Sequence, residues 1–175
     1  MNQNKTNKIH FIIKLSSVLP AALLLSVIFG FSAQTGEESG SLSLEISLFL
    51  AKLFSPFFPA MQQDGELLAH AEAIHSLVRK LAHVTEYFLL TLSLFLPLHV
   101  FLKNKYSFLF RLIATVTLSV LFAALDEFHQ TLVPGRHGCI SDVGIDSLGI
   151  LLATLILSLC HQFHKTKKLT QFPNK

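Results

Sequence analysis

Four apolar stretches dominate the chain. The first, residues 15–36, runs for 22 residues without a charge, enough to cross a hydrocarbon core that takes about 20 helical residues. Three further charge-free runs are shorter: residues 87–102 (16 residues), 112–125 (14) and 147–162 (16). Runs of that length also suit a buried core helix. Their number, their Leu, Phe, Ile and Val content, and the lack of the polar faces a soluble bundle needs decide for the membrane. Extending each to about 20 residues gives spans at about 11–33, 83–102, 106–126 and 143–162. The expected fold is an all-α, integral membrane four-helix bundle forming a single domain over residues 1–175. A cleavable signal peptide ending near Ala33 is disfavoured, because the apolar run is long for one and Phe31 is too large for its position.

The segment entering the second span has its own pattern. Glu72, His75, Arg79, His83 and Glu86 are spaced 3, 4, 4 and 3 residues apart, so they share one helical stripe. Leu67, Ala71, Ile74, Val78 and Leu81 form a separate apolar stripe. This predicts one long helix, amphipathic from about Asp64 and entering the membrane at His83. The loop before it, residues 35–63, starts Gly-, Ser- and Glu-rich and continues with Leu42, Ile46, Phe49, Leu50 and Leu53 at helical spacing. Alternation at positions 42, 44, 46, 48 and 50 also fits a strand. A short interfacial helix stopped before Pro56 is the preferred reading. No internal or inverted repeat is visible.

Composition agrees: 51% of residues are hydrophobic and 14% charged, against about a quarter charged in soluble domains. The net charge of +3 and pI near 9.0 suggest nucleic acid until the charges are placed. With both termini cytoplasmic, the inner side holds Lys5, Lys8, Lys14, Lys103, Lys105, Arg111, Lys165, Lys167, Lys168 and Lys175 and no acid. The outer side holds Lys52, Arg79, Lys80, Arg136 and all eleven acids. That asymmetry is a positive-inside signal, so nucleic-acid binding is not expected and the lipid bilayer is the first partner. The Lys-rich C-terminus reads as a topology anchor attracted to anionic lipids. Cys139 and Cys160, about 30 Å apart along a helix, are too distant for a disulfide.

Once extended, the short spans gain carboxylates at one depth, near the outer rim: Glu86 on the second, Asp126 and Glu127 on the third, Asp146 on the fourth. Ionisable groups there are costly unless paired or facing water, so they predict a polar site turned into the bundle. Gln130 lies four residues after Asp126. Asp142, Asp146, Gly149 and Ala153 share one face, whose small residues allow close helix approach. Pro134 and Gly135 stop the third helix and form a turn. Arg136 after them suits a carboxylate on the facing wall or a phosphate, and Arg111 is expected to snorkel inward. Tyr87 reads as an interfacial anchor, His129 as a loop-facing polar residue, and Pro97 as a tolerated kink. His70, His99, His137, His161 and His164 carry no informative spacing.

The stretches RKLAHVTEYFLL (79–90) and LDEFHQTLVPGRHGCISDVGIDSLG (125–149) resemble the VanZ-like family of small bacterial membrane proteins. Lys80, His83, Glu86, Tyr87, Asp126, Glu127, Gln130, Pro134, Gly135, Arg136, Asp142, Asp146 and Gly149 fit the family's pattern. The FGFSAQ run at 29–34 is similar to its Phe-Ser-Ser-Gln after the first helix. Ala153 stands where a second Gly is common, and Leu132 where Phe is frequent. The resemblance implies a bacterial cytoplasmic-membrane protein linked to resistance to teicoplanin, a lipid-tailed glycopeptide acting outside the cell. It implies a place and a phenotype rather than a reaction.

Three functional readings follow. The first is a non-enzymatic envelope protein whose extracytoplasmic site binds a lipid-linked cell-wall precursor or an anionic lipid head group through Arg79, Lys80, His83, Glu86, Glu127, Gln130, Arg136, Asp142 and Asp146. The second is a membrane enzyme using His83, Glu86, Asp126, Glu127 and Asp142 as acids and bases. No cofactor is required by the sequence, though this oxygen-rich set would tolerate Mg or Mn; no nucleophile motif, phosphate loop or HExxH favours catalysis. The third has the same residues hold helix ends together, with Arg136 bridging to Asp142 or Glu127. Four helices without a broken midplane helix offer a transporter little pathway.

Overall fold

The computed structural model describes residues 3–58 and 66–171. The expected helix start at Asp64 and the cation Lys175 lie outside them. Five α-helices run in order: α1 (Gln3–Ser32), α2 (Gly36–Phe54), α3 (Glu66–Leu102), α4 (Phe108–Gln130) and α5 (Ile140–Gln171). Four of them, α1, α3, α4 and α5, are long and apolar enough to cross a membrane. No strand occurs among the described residues, so the alternation at 42–50 yields to helix.

What is buried supports the membrane reading. Among the described residues, eleven apolar side chains are buried against thirteen polar or charged ones. Large apolar groups line the outside, as on α1, where Phe11, Leu15, Leu19 and Leu23 are 66%, 60%, 56% and 66% exposed. In water such a surface would be unstable; in lipid, helices associate through close packing and polar contacts while the apolar faces meet acyl chains. Thr91 on α3 donates to Ser119 on α4 at 3.0 Å, both buried.

α3 is the hub, packing against each of the other four helices, and α4 also packs on α5. The spanning helices alternate in direction. Ser32 at the end of α1 meets Asp126 near the end of α4, and His83 meets Asp146 near the start of α5. At the opposite end Lys14 lies over the Phe101 ring and Phe108 stacks on His161 at 3.9 Å. α3 and α5 approach closely at Gly149, where an added Cβ would stand 2.1 Å from the Val84 carbonyl oxygen. Buried Ala153 continues that small-residue face.

Several expectations need correction. Tyr87 is not an interfacial anchor: it is fully buried in the core, its hydroxyl donating to the Phe122 carbonyl at 3.3 Å. Arg111 is 6% exposed rather than snorkelling, because it lies on the α4 face that also buries Leu112, Thr115 and Ser119. His129 packs its ring against Phe29. α2 starts at Gly36, at the very beginning of the stretch read as loop, so it takes in the Gly-, Ser- and Glu-rich part, and a 3-10 turn, Ser55–Phe57, accommodates Pro56 after it. Both cysteines are free, as their spacing requires.

Candidate functional site

The polar residues converge where α1 and α4 end and α3 and α5 cross the same level. Asp126 and Glu127 are consecutive on α4, so their side chains diverge by about 100°. Asp126, fully buried, accepts from the Ser32 hydroxyl of α1 at 2.5 Å and from the Gln130 amide at 3.2 Å. Glu127 turns the other way and accepts from the Cys139 backbone N–H at 3.0 Å and from Gln130 at 3.4 Å. Gly138 makes room for this: a Cβ there would stand 2.1 Å from the Glu127 carbonyl oxygen.

Asp146 is different. Its relative exposure is 0%, and neither carboxylate oxygen has a hydrogen-bond partner. Its neighbour is His83, whose Nδ1 lies 3.4 Å from Asp146 Oδ1, at ion-pair distance but without hydrogen-bond alignment. One donor atom each from His83, Glu127 and Asp146 lies within 4.8 Å of the others. Three helices thus supply an imidazole and two carboxylates to one point.

Above this point opens a cleft of about 310 Å³ lined by His83, Gln130, Asp142 and Asp146, with Arg79, Lys80 and Arg136 contributing cations. His75 and His137, one placed only on the polar stripe and the other uninformative in sequence, also line it. Gly40 and Ser43 of α2 close one side, so the segment between α1 and α3 packs over the site. Glu86 faces a second, smaller cavity of about 130 Å³, shared with Arg79, His83, Arg136 and Ser32. Asp126 and Glu127 line neither cavity but brace the wall.

Arg136 makes no bond to Asp142 or Glu127. It is 8% exposed, and its Nε donates to the Gln34 carbonyl at 2.9 Å and one terminal nitrogen to the Phe31 carbonyl at 2.8 Å. These carbonyls lie at and just beyond the C-terminal end of α1, where the helix dipole attracts a cation; the Phe31 carbonyl also accepts from the Gln34 N–H at 3.2 Å. The turn that aims it depends on Gly135, at φ +72°, and on Gly36, whose N–H donates to the Pro134 carbonyl at 3.1 Å. Burial, and then the nearby Arg79, push the Arg136 guanidinium below its ordinary value; it remains charged at neutral pH.

Sequence reading missed Ser32 as a partner of Asp126, and the signal was its position in the FGFSAQ run. It also missed that Asp146, among the three buried acids Asp126, Glu127 and Asp146, is the one without donors, which depends on three-helix geometry and has no sequence signature.

No curated protein and no solved structure matches the chain. The family profile described as VanZ/LLP1 matches residues 17–161, which takes in most of all four candidate spans and every residue of the polar cluster. With that extent of match, the chain belongs to the VanZ/LLP1 family.

Proposed function

We propose that the cleft binds the anionic head group of a lipid or lipid-linked cell-wall precursor at the outer face of the bacterial cytoplasmic membrane. Both termini then lie in the cytoplasm. Occupancy limits the access of lipoglycopeptide antibiotics of the teicoplanin type. The observation that carries this reading is the convergence of Arg79, Lys80 and Arg136 on one cleft at the end of a bundle whose flanks are apolar and lipid-compatible. Cations so placed suit phosphate oxygens, Arg79 through its fork-shaped guanidinium and Arg136 through the terminal nitrogen that the Phe31 and Gln34 carbonyls do not take. A head group entering there keeps its acyl chain along the exposed apolar faces of the spanning helices. The inner orientation of the Lys-rich end is supported by the charge asymmetry.

The test is binding of a polyprenyl pyrophosphate to the protein in zwitterionic nanodiscs. Wild type should bind, and R79A/K80A should weaken binding at least tenfold, since each lost charge-assisted contact contributes about 1.5–3 kcal/mol. Cells expressing the double variant should lose protection against teicoplanin while the protein still accumulates. Absence of binding by wild type overturns the reading.

A further inference from the structure

We propose that His83, Glu127 and Asp146 form a binding site for one divalent transition-metal ion. The reason is the condition of Asp146. A carboxylate at 0% exposure with neither oxygen hydrogen-bonded is among the costliest groups a membrane protein can hold. The other two buried acids are provided for: Asp126 by Ser32 and Gln130, Glu127 by Cys139 and Gln130. His83 adds a second orphan, since its buried Nδ1 also lacks a hydrogen-bond partner. A proton on Asp146 would satisfy one acceptor and leave the other bare. A cation held between His83, Asp146 and Glu127 would give both orphaned side chains a partner at once.

The distances fit. Bonds of about 2.0–2.2 Å in tetrahedral array put neighbouring ligand atoms about 3.4 Å apart, and His83 Nδ1 and Asp146 Oδ1 are 3.4 Å apart. The whole set lies within 4.8 Å, and rotation of the Glu127 carboxylate closes the remainder. Its hydrogen bonds from Cys139 and Gln130 are the outer contacts that orient metal-binding carboxylates. One imidazole with two carboxylates suits Zn²⁺ or Mn²⁺ better than Ca²⁺, and three protein ligands leave a position open. His83 and Asp146 also line the larger cleft, so that position faces it. The consequence for ligand binding rests on the head-group reading: the ion would offset the negative wall formed by Asp142 and Asp146 and present a partner to a phosphate oxygen.

The experiment uses the full chain in zwitterionic nanodiscs, stripped with chelator and re-equilibrated with Zn²⁺ or Mn²⁺ alone. Elemental analysis should find about one ion per chain, thermal unfolding should shift upward with metal concentration, and bound Mn²⁺ should show imidazole-nitrogen coupling in its pulsed EPR spectrum. D146N should fold, since Asn removes the buried charge, yet bind metal at least about tenfold more weakly. Should it not fold, the wild-type stoichiometry and nitrogen coupling still decide. Wild type without stoichiometric metal or thermal shift, or binding that D146N leaves unchanged, overturns the proposal. Polyprenyl pyrophosphate binding is measured separately on stripped and loaded protein. Its absence with metal present removes the head-group reading alone, and its presence with no metal uptake removes the metal site alone.

Discussion

At Gly149 a single hydrogen decides how close two helices come. A Cβ there would stand 2.1 Å from the Val84 carbonyl oxygen and 2.9 Å from the Phe88 nitrogen, both backbone atoms of α3 that cannot turn aside. G149A must therefore separate α3 from α5, the pair that brings His83 to Asp146. Overpacking of this kind costs about 1–3 kcal/mol, and reversible unfolding in detergent should show that loss. Gly144, five residues earlier on the same helix, meets nothing within 4 Å. G144A should be neutral or stabilising, by up to about 1 kcal/mol from helix propensity. If both substitutions cost the same, the close approach at Gly149 is not what positions the cluster. Arg136 acts on a different contact, the exposed carbonyl end of α1. R136A removes two charge-assisted hydrogen bonds to Phe31 and Gln34, and should cost about 2 kcal/mol or more. Hydrogen exchange should rise first at residues 31–36, where the bonds are lost.

Among the helices, those with a long apolar run are legible in the amino-acid sequence alone, and so is the amphipathic half of α3. Its stripe from Glu72 to Glu86 follows helical spacing, and its apolar stripe holds fully buried Ala71. α2 is only half legible. Its apolar positions show, but its start is hidden by a Gly/Ser/Glu-rich composition that resembles a loop. The missed signal is local: Thr35 and Glu38 form a capping box, Thr35 accepting from the Glu38 N–H at 3.2 Å and Glu38 accepting from the Thr35 N–H at 2.8 Å. Burial of Tyr87 and Arg111 is not legible, because which face of an apolar helix turns inward depends on neighbours rather than on its own sequence. The capping box carries a pH dependence. The Thr35 backbone and then its hydroxyl hold the Glu38 carboxyl below its ordinary 4.5. A depressed carboxyl stabilises the folded end of α2 above the unfolded value and loses that contribution as pH falls through the folded one. Protection from hydrogen exchange in the first turn of α2, taken relative to the intrinsic rate at each pH, should therefore fall below about pH 4.5. T35A, which keeps the backbone N–H but loses the hydroxyl, should weaken that dependence and fray the turn at neutral pH, by about 0.5–2 kcal/mol. Equal exchange in both proteins across this range would show that the box does not hold the turn.

Across the whole molecule the charges are divided between two ends, and this division has a testable direction. Lys14 and Arg111 sit at the end where Phe101 and Phe108 lie, while Asp142 and Asp146 line the cleft at the other end, with Glu86 facing the smaller cavity beside it. Cys139 reports on the cleft side: it is exposed in the turn between α4 and α5. The Ser141 hydroxyl and then its backbone N–H draw its thiol below the ordinary 9.0, so it reaches the reactive thiolate at lower pH than an unassisted cysteine. Cys160 lies within the candidate span of α5, where lipid shields it from water-soluble reagents. In intact cells, a membrane-impermeant maleimide at neutral pH should label Cys139 and spare Cys160. S141A should slow that labelling by removing the hydroxyl contact of 3.1 Å without changing its sidedness. If Cys139 is labelled only after the cells are opened, the cleft faces the cytoplasm. The link to antibiotics that act outside the cell then fails, whereas the metal site, which depends on three side chains and not on which side of the membrane they face, would stand.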